Sequence, residues 1–130
     1  EIGKLSRTRP KDIISGQSLS RGESGGITFI GLLGAISGSL IIAIIGYFLN
    51  MNTSYLIIVF ISGFLGSLFD SILGSTFQAR FISMDGKTIK EEKEQDSYHY
   101  SGLLSINNNS VNFLCTLSAP IFFILLHLIK

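Results

Sequence analysis

Between Glu23 and Arg80 the chain carries one formal charge, the carboxylate of Asp70. A run this long without charge restricts the chain to a few architectures, because such a segment cannot coat a water-soluble domain. Residues 27–49 carry no charge at all. At about 1.5 Å per residue, a helix of that length crosses a hydrocarbon core of about 30 Å. Asn50, Asn52, Thr53 and Ser54 make a short polar turn. Residues 55–78 form a second span, interrupted chemically only by Asp70. Residues 79–109 are polar. Residues 110–129 form a third span, with Pro120 expected to kink it or mark an irregularity. The expected fold class is all-α: a polytopic membrane helix bundle with three transmembrane helices.

Composition agrees. The chain of 130 residues is 46% hydrophobic and 15% charged. Its net charge of +1 gives no argument for a nucleic-acid partner. The single cysteine, Cys115, excludes an intrachain disulfide and any Cys-based zinc site, and it reads as a small packing residue. His99 and His127 have no ligand partners at metal spacing. Lys4, Arg7, Arg9, Lys11 and Arg21 precede the first span, and Arg80, Lys87, Lys90 and Lys93 follow the second. The Asn50–Ser54 turn has no Lys or Arg. The positive-inside rule therefore places both long polar segments in the cytoplasm.

A carboxylate inside a spanning helix costs about 2.5–3.5 kcal/mol on insertion scales and faces a wet or protein-lined interior. Asp70 is thus a candidate site residue. Gly63, Gly66, Ser67, Asp70, Gly74 and Gln78 fall on one helical face, which suits a protein partner better than lipid. Gly31, Gly34, Ala35, Gly38, Ser39, Ala43 and Gly46 give the first span similar small-residue surfaces. Thr88-Ile89-Lys90-Glu91 fits a capping box and predicts a short solvated helix from about 89 to 96. Asn109 or Ser110 is the expected cap of the third span.

The second strong feature is Ser20-Arg21-Gly22-Glu23-Ser24-Gly25-Gly26-Ile27-Thr28, immediately before the first span. Glycines let several N–H groups turn toward one point, and a helix start adds a positive dipole end. The loop suits an anion such as phosphate, with Arg21 as a bidentate partner. It is not a Walker A loop, because no Gly-Lys-Ser/Thr follows. A flexible loop with a helix cap fits the local sequence equally well. A side chain at Gly25 is expected to block the loop's function while the protein still folds.

Four blocks in order resemble the DUF92/TMEM19 integral membrane family. They are Glu1-Ile2-Gly3 with Ser6, the segment Arg21–Thr28, the segment Gly66–Gln78, and Asn108-Asn109-Ser110-Val111-Asn112-Phe113. The resemblance covers nearly the whole chain, and the Asp70 block is its most specific part. The family's plant member is phytyl-phosphate kinase of tocopherol synthesis. Members are roughly twice this length, so the chain looks like a C-terminal half whose partner is the missing N-terminal half. The resemblance implies nucleotide-dependent phosphoryl transfer to an isoprenoid (prenyl or phytyl) monophosphate. It implies Asp70 and Glu1 as catalytic and Mg²⁺-holding carboxylates. It further implies that Arg21, Gly22, Ser24, Gly25 and Gly26 hold phosphate or nucleotide. Ser71, Gly74, Gln78, Asn108 and Asn112 would contact the lipid-phosphate substrate. Lys4 and Arg7 are possible further cations. One departure is Glu23, where the family usually has Thr; a carboxylate there repels phosphate unless it turns away or a metal intervenes. The alternative reading of the same residues is a non-enzymatic membrane protein or transporter half, with Asp70 as an ion site. A fragment inactive by itself is the third.

Overall fold

A computed structural model describes every residue except Glu1, Ile2, Lys4, Leu5, Arg21, Gly22, Asp85, Lys87, Thr88, Glu91 and Lys130. Three long helices dominate it: α1 (Phe29–Phe48), α2 (Thr53–Thr76) and α3 (Asn108–Ile129). Each is long and apolar enough to cross a membrane. The expected membrane helix bundle is therefore found, with helix ends within about two residues of the expected spans. The helix α3 runs on through Pro120 without a break.

The turn between α1 and α2 is closed at both sides. Leu49 ends α1, and Asn50 takes a left-handed φ of 58°. The Met51 N–H donates to Gly46 O and the Asn50 N–H to Tyr47 O, both at 3.0 Å. This is the Schellman pattern with Asn in place of Gly, and it satisfies carbonyls that the helix end would leave bare in lipid. Asn52 Oδ1 then accepts from Ser54 N–H at 2.9 Å and starts α2.

Both α1 and α3 pack along α2, and no comparable contact joins α1 to α3. Small residues set the approach. A Cβ at Gly63 would lie 3.1 Å from Ser39 Oγ of α1, and one at Gly66 would lie 3.3 Å from the Ala119 Cβ of α3. The central helix thus uses its small-residue stripe to seat a neighbour on either side.

The polar segments contain strands that the sequence reading lacked. The strands β1 (Lys11–Asp12) and β2 (Gly26–Ile27) pair antiparallel just before α1. After α2 come β3 (Arg80–Ser83), β4 (Ile89–Lys90) and β5 (Ser97–Ser101), in the order β4-β3-β5. The expected helix at 89–96 is therefore wrong. Ile89 pairs with Ile82, which pairs with Tyr98 on its other side. Three apolar groups in register outweigh a weak local helix signal. Thr88 and Glu91, the ends of the supposed capping box, lie outside the described residues. The Lys90–Glu94 ion pair, at 2.6 Å, forms all the same within the turn.

The start of α3 also differs. Its cap is Asn107, whose Oδ1 accepts from both the N–H and the hydroxyl of Ser110 at 3.0 and 3.1 Å. In a run of three Asn, any can cap; the one that precedes the first helical residue does so.

Candidate functional site: a cavity at the helix ends

The start of α1, the end of α2 and the start of α3 meet around a cavity of about 620 Å³. The loop before α1 supplies Glu23, Ser24, Gly25, Gly26 and Thr28. From α2 and its end come Ser67, Asp70, Ser71, Gly74 and Gln78, and from α3 come Asn108 and Asn112. Apart from Arg7, every candidate site residue within the described set borders this one space. Glu1, Arg21, Gly22 and Lys4 lie outside that set. Arg7 is exposed at the surface and does not border the cavity.

Hydrogen bonds fasten the segment before α1 to α2 and to the residues that follow it. Ser24 Oγ donates to Gln78 Oε1 at 2.8 Å. Arg80 Nη2 donates to Ser24 O at 2.9 Å and to Gly74 O at 3.1 Å, with Ser75 O at 3.4 Å. Asp12 Oδ2 accepts from Ser75 Oγ at 2.7 Å. Gly25, with φ 81°, lies so close to α2 that a Cβ there would fall 2.6 Å from Ser75 backbone atoms. A Cβ at Gly74 would in turn meet Gly25 N at 2.9 Å. The expectation that a side chain at Gly25 leaves the fold intact is therefore corrected. This glycine is required by the left-handed backbone and by the helix beneath it, before any ligand is considered.

Asp12 and Arg80 were missed as parts of the site. Asp12 is buried, and its Oδ1 accepts from the Ile14 and Ser15 N–H groups and from the Ser15 hydroxyl. Burial raises its pKa, but the bonds from Ser15, Ser75 and Ile14 together outweigh that and hold it below the ordinary aspartate value. The signal was legible as Asp12-x-x-Ser15-Gly16, an Asx-type turn ending on a glycine with φ 69°. Arg80, the first cation after the span, supplies the charge that a helix C-terminus favours. Both residues brace the site and do not border the cavity.

Two buried polar atoms stand out. Gln78 is 1% exposed, and its Nε2 has no hydrogen-bond partner. The Oδ1 of half-buried Asp70 likewise has none. Asp70 lies roughly 9 Å along α2 from its end at Thr76, inside the span. Both α1 and α3 begin beside the cavity, so two positive dipole ends converge there. The departure at Glu23 has a local answer: its Oε1 accepts from Ser20 N–H at 3.0 Å and serves its own turn. A second cavity of about 430 Å³ shares Ser67, Asp70 and Asn112 and continues between α2 and α3 past Cys115 to Ala119. Cys115 donates to Gly66 O at 3.4 Å, as a packing residue can. His99 stacks edge-on against Phe81, and His127 lies against Tyr55 and Phe123.

The family model for the integral membrane protein DUF92 matches residues 1–120. The chain belongs to the DUF92 family of integral membrane proteins. Protein PGR of Arabidopsis thaliana is 31% identical over 137 aligned positions, covering 90% of this chain and 45% of PGR. An uncharacterized membrane protein of Methanocaldococcus jannaschii is 30% identical over 82 positions, covering 63% of this chain and 34% of its own length. The chain thus spans less than half the length of these two relatives. No solved structure matches it.

Proposed function

We propose that this DUF92 chain forms the phosphate end of a membrane enzyme that transfers a phosphoryl group from a nucleoside triphosphate to an isoprenoid monophosphate. The observation that carries the reading is the buried Gln78 amide, with its Nε2 unpartnered, bordering a cavity where two helix starts converge. Burying an amide donor without a partner is costly, and an anionic oxygen in the cavity removes that cost. The cavity reaches into the membrane, which suits a substrate with a polar head and an apolar tail.

In this reading Gln78 and the Ser24–Gly26 loop hold phosphate oxygens, and Asn108, Asn112 and Ser71 orient the lipid head. The acceptor phosphate oxygen attacks the terminal phosphorus, and the bond to the nucleoside diphosphate breaks. Asp70 fits a Mg²⁺ role: its Oδ1 is unpartnered, and Mg²⁺ commonly takes one or two carboxylates together with substrate phosphates. Bound there, Mg²⁺ would neutralise charge on the transferring group. Among the described residues no group of three His, Cys, Asp or Glu gathers to hold a metal, so the phosphates must complete the set. Glu1 remains a proposed second carboxylate. The rest of a longer protein is the proposed partner.

The test is transfer of labelled phosphate from nucleotide to a prenyl monophosphate by the complete protein in vesicles. Gln78→Leu should weaken prenyl-phosphate binding about tenfold or more, the worth of a hydrogen bond to a charged group. Unchanged affinity in a folded Gln78→Leu variant overturns the assignment of Gln78. Cation binding that needs Asp70, with no nucleotide effect, favours the ion-site alternative.

The same reading keeps both long polar segments on the cytoplasmic side. Cysteines placed at Ser54 and Ser97 should then react with impermeant reagents from opposite sides of the membrane. Labelling of both from one side overturns the orientation.

A further inference from the structure

The segment before α1 holds three cations that the cavity does not use. Along residues 6–12, Ser6, Pro10 and Asp12 are buried, whereas Arg7, Arg9 and Lys11 are exposed. An extended chain alternates in this way, because successive side chains point to opposite sides. Its inner side meets the bundle. Gly3, Ser6, Thr8 and Pro10 border the cavity, and the Ser6 and Thr8 hydroxyls bond to each other at 2.8 Å. None of the three cations borders it.

Three ties fix the height of this strip. At one end a Cβ on Gly3 would lie 3.3 Å from the Gly31 Cα, in the first turn of α1. At the other end Lys11 pairs with Ile27, two residues before α1 begins. Beside it, Asp12 accepts from Ser75 in the last turn of α2. The 20 residues of α1, at about 1.5 Å each, match a hydrocarbon core of about 30 Å. Its first turn therefore sits at the membrane boundary, and the strip runs along that boundary. The carboxylates of the same segment are engaged elsewhere. Asp12 accepts bonds at both oxygens, and Glu23 Oε1 serves its own turn. Among the described residues no carboxylate pairs with Arg9 or Lys11.

We propose that Arg7, Arg9 and Lys11 bind the phosphate groups of acidic phospholipids around this end of the bundle. Cations held outward at headgroup height attract anionic lipid, each worth about fivefold in affinity. A nucleotide in the cavity lies on the other side of the strand. The proposal is independent of the phosphoryl-transfer reading.

The test is the association of spin-labelled phosphatidylglycerol and phosphatidylcholine with the chain in phosphatidylcholine vesicles, read as the motionally restricted fraction of each. Phosphatidylglycerol should be favoured, and 1 M salt should weaken the preference, because the cations are exposed. Arg9→Gln with Lys11→Gln should remove most of it while leaving the contacts of Arg7 in place. Arg9→Lys with Lys11→Arg keeps the charge and should keep the preference. Lys90→Gln with Lys93→Gln, in the other polar segment, should change it little. Equal association of the two lipids with the native chain overturns the proposal. So does a preference that survives neutralisation of Arg9 and Lys11, or one lost equally on neutralising Lys90 and Lys93. Nucleotide affinity that falls in the Arg9 and Lys11 variant while lipid preference stays assigns the strip to nucleotide and also overturns it.

Discussion

Asp70→Asn in the complete protein is expected to abolish phosphoryl transfer while leaving expression intact. Asparagine keeps the shape and most of the hydrogen bonding, but it removes the charge that a divalent cation requires. The residue lies inside a spanning helix, so loss of the charge also removes an insertion penalty of about 2.5–3.5 kcal/mol. Expression should therefore hold or rise as turnover disappears. The measurement is prenyl-monophosphate turnover with Mg²⁺ and nucleotide in excess, next to the yield of inserted protein. Near-normal turnover by Asp70→Asn overturns the central assignment. Because Asp70 Oδ1 has no partner, the substitution strands no donor that was satisfied by that atom.

A comparison of two glycines should give the second large effect. Gly16 and Gly25 both have positive φ, 69° and 81°. A Cβ at Gly16 meets nothing within 4 Å, whereas one at Gly25 falls 2.6 Å from Ser75 backbone atoms. Gly16→Ala should show only the backbone penalty, about 1–2 kcal/mol. Gly25→Ala adds steric overlap with a helix that cannot give way, about 1–3 kcal/mol more. Thermal unfolding in detergent measures the difference. Gly74→Ala should resemble Gly25→Ala, since it reaches the same contact from the other side. Equal stability of Gly16→Ala and Gly25→Ala would falsify the packing role assigned to Gly25.

The helices were legible because charge and length alone decide them: residues 27–49, 55–78 and 110–129 leave no other solvent to fold into. The gathering of Asp70, Gln78, Ser24 and Asn112 was legible only as separate motifs. The sequence places no loop against a helix, so nothing local said that Ser24 meets Gln78. Asp12 and Arg80 were passed over for a related reason. A charge in a polar segment reads as solvated until a distant carbonyl or hydroxyl is known to face it. The hairpin failed differently. Thr88 to Glu91 carries a real helix-start pattern, and only the alignment of Ile89 with Ile82 and Tyr98 overrides it.

Arg80 has a consequence for motion. One guanidinium holds the loop through Ser24 and the helix end through Gly74. Asp12 adds a second tie through Ser75. Loop and central helix therefore travel as one rigid piece, and the roof of the cavity cannot lift away from its back wall. The outer helices pack chiefly on α2, with no comparable contact between them. On the proposed function, the widening that admits a lipid comes from α1 or α3 swinging outward, like doors hung on a common post. Binding kinetics, on that same function, should then follow the fluidity of the surrounding acyl chains.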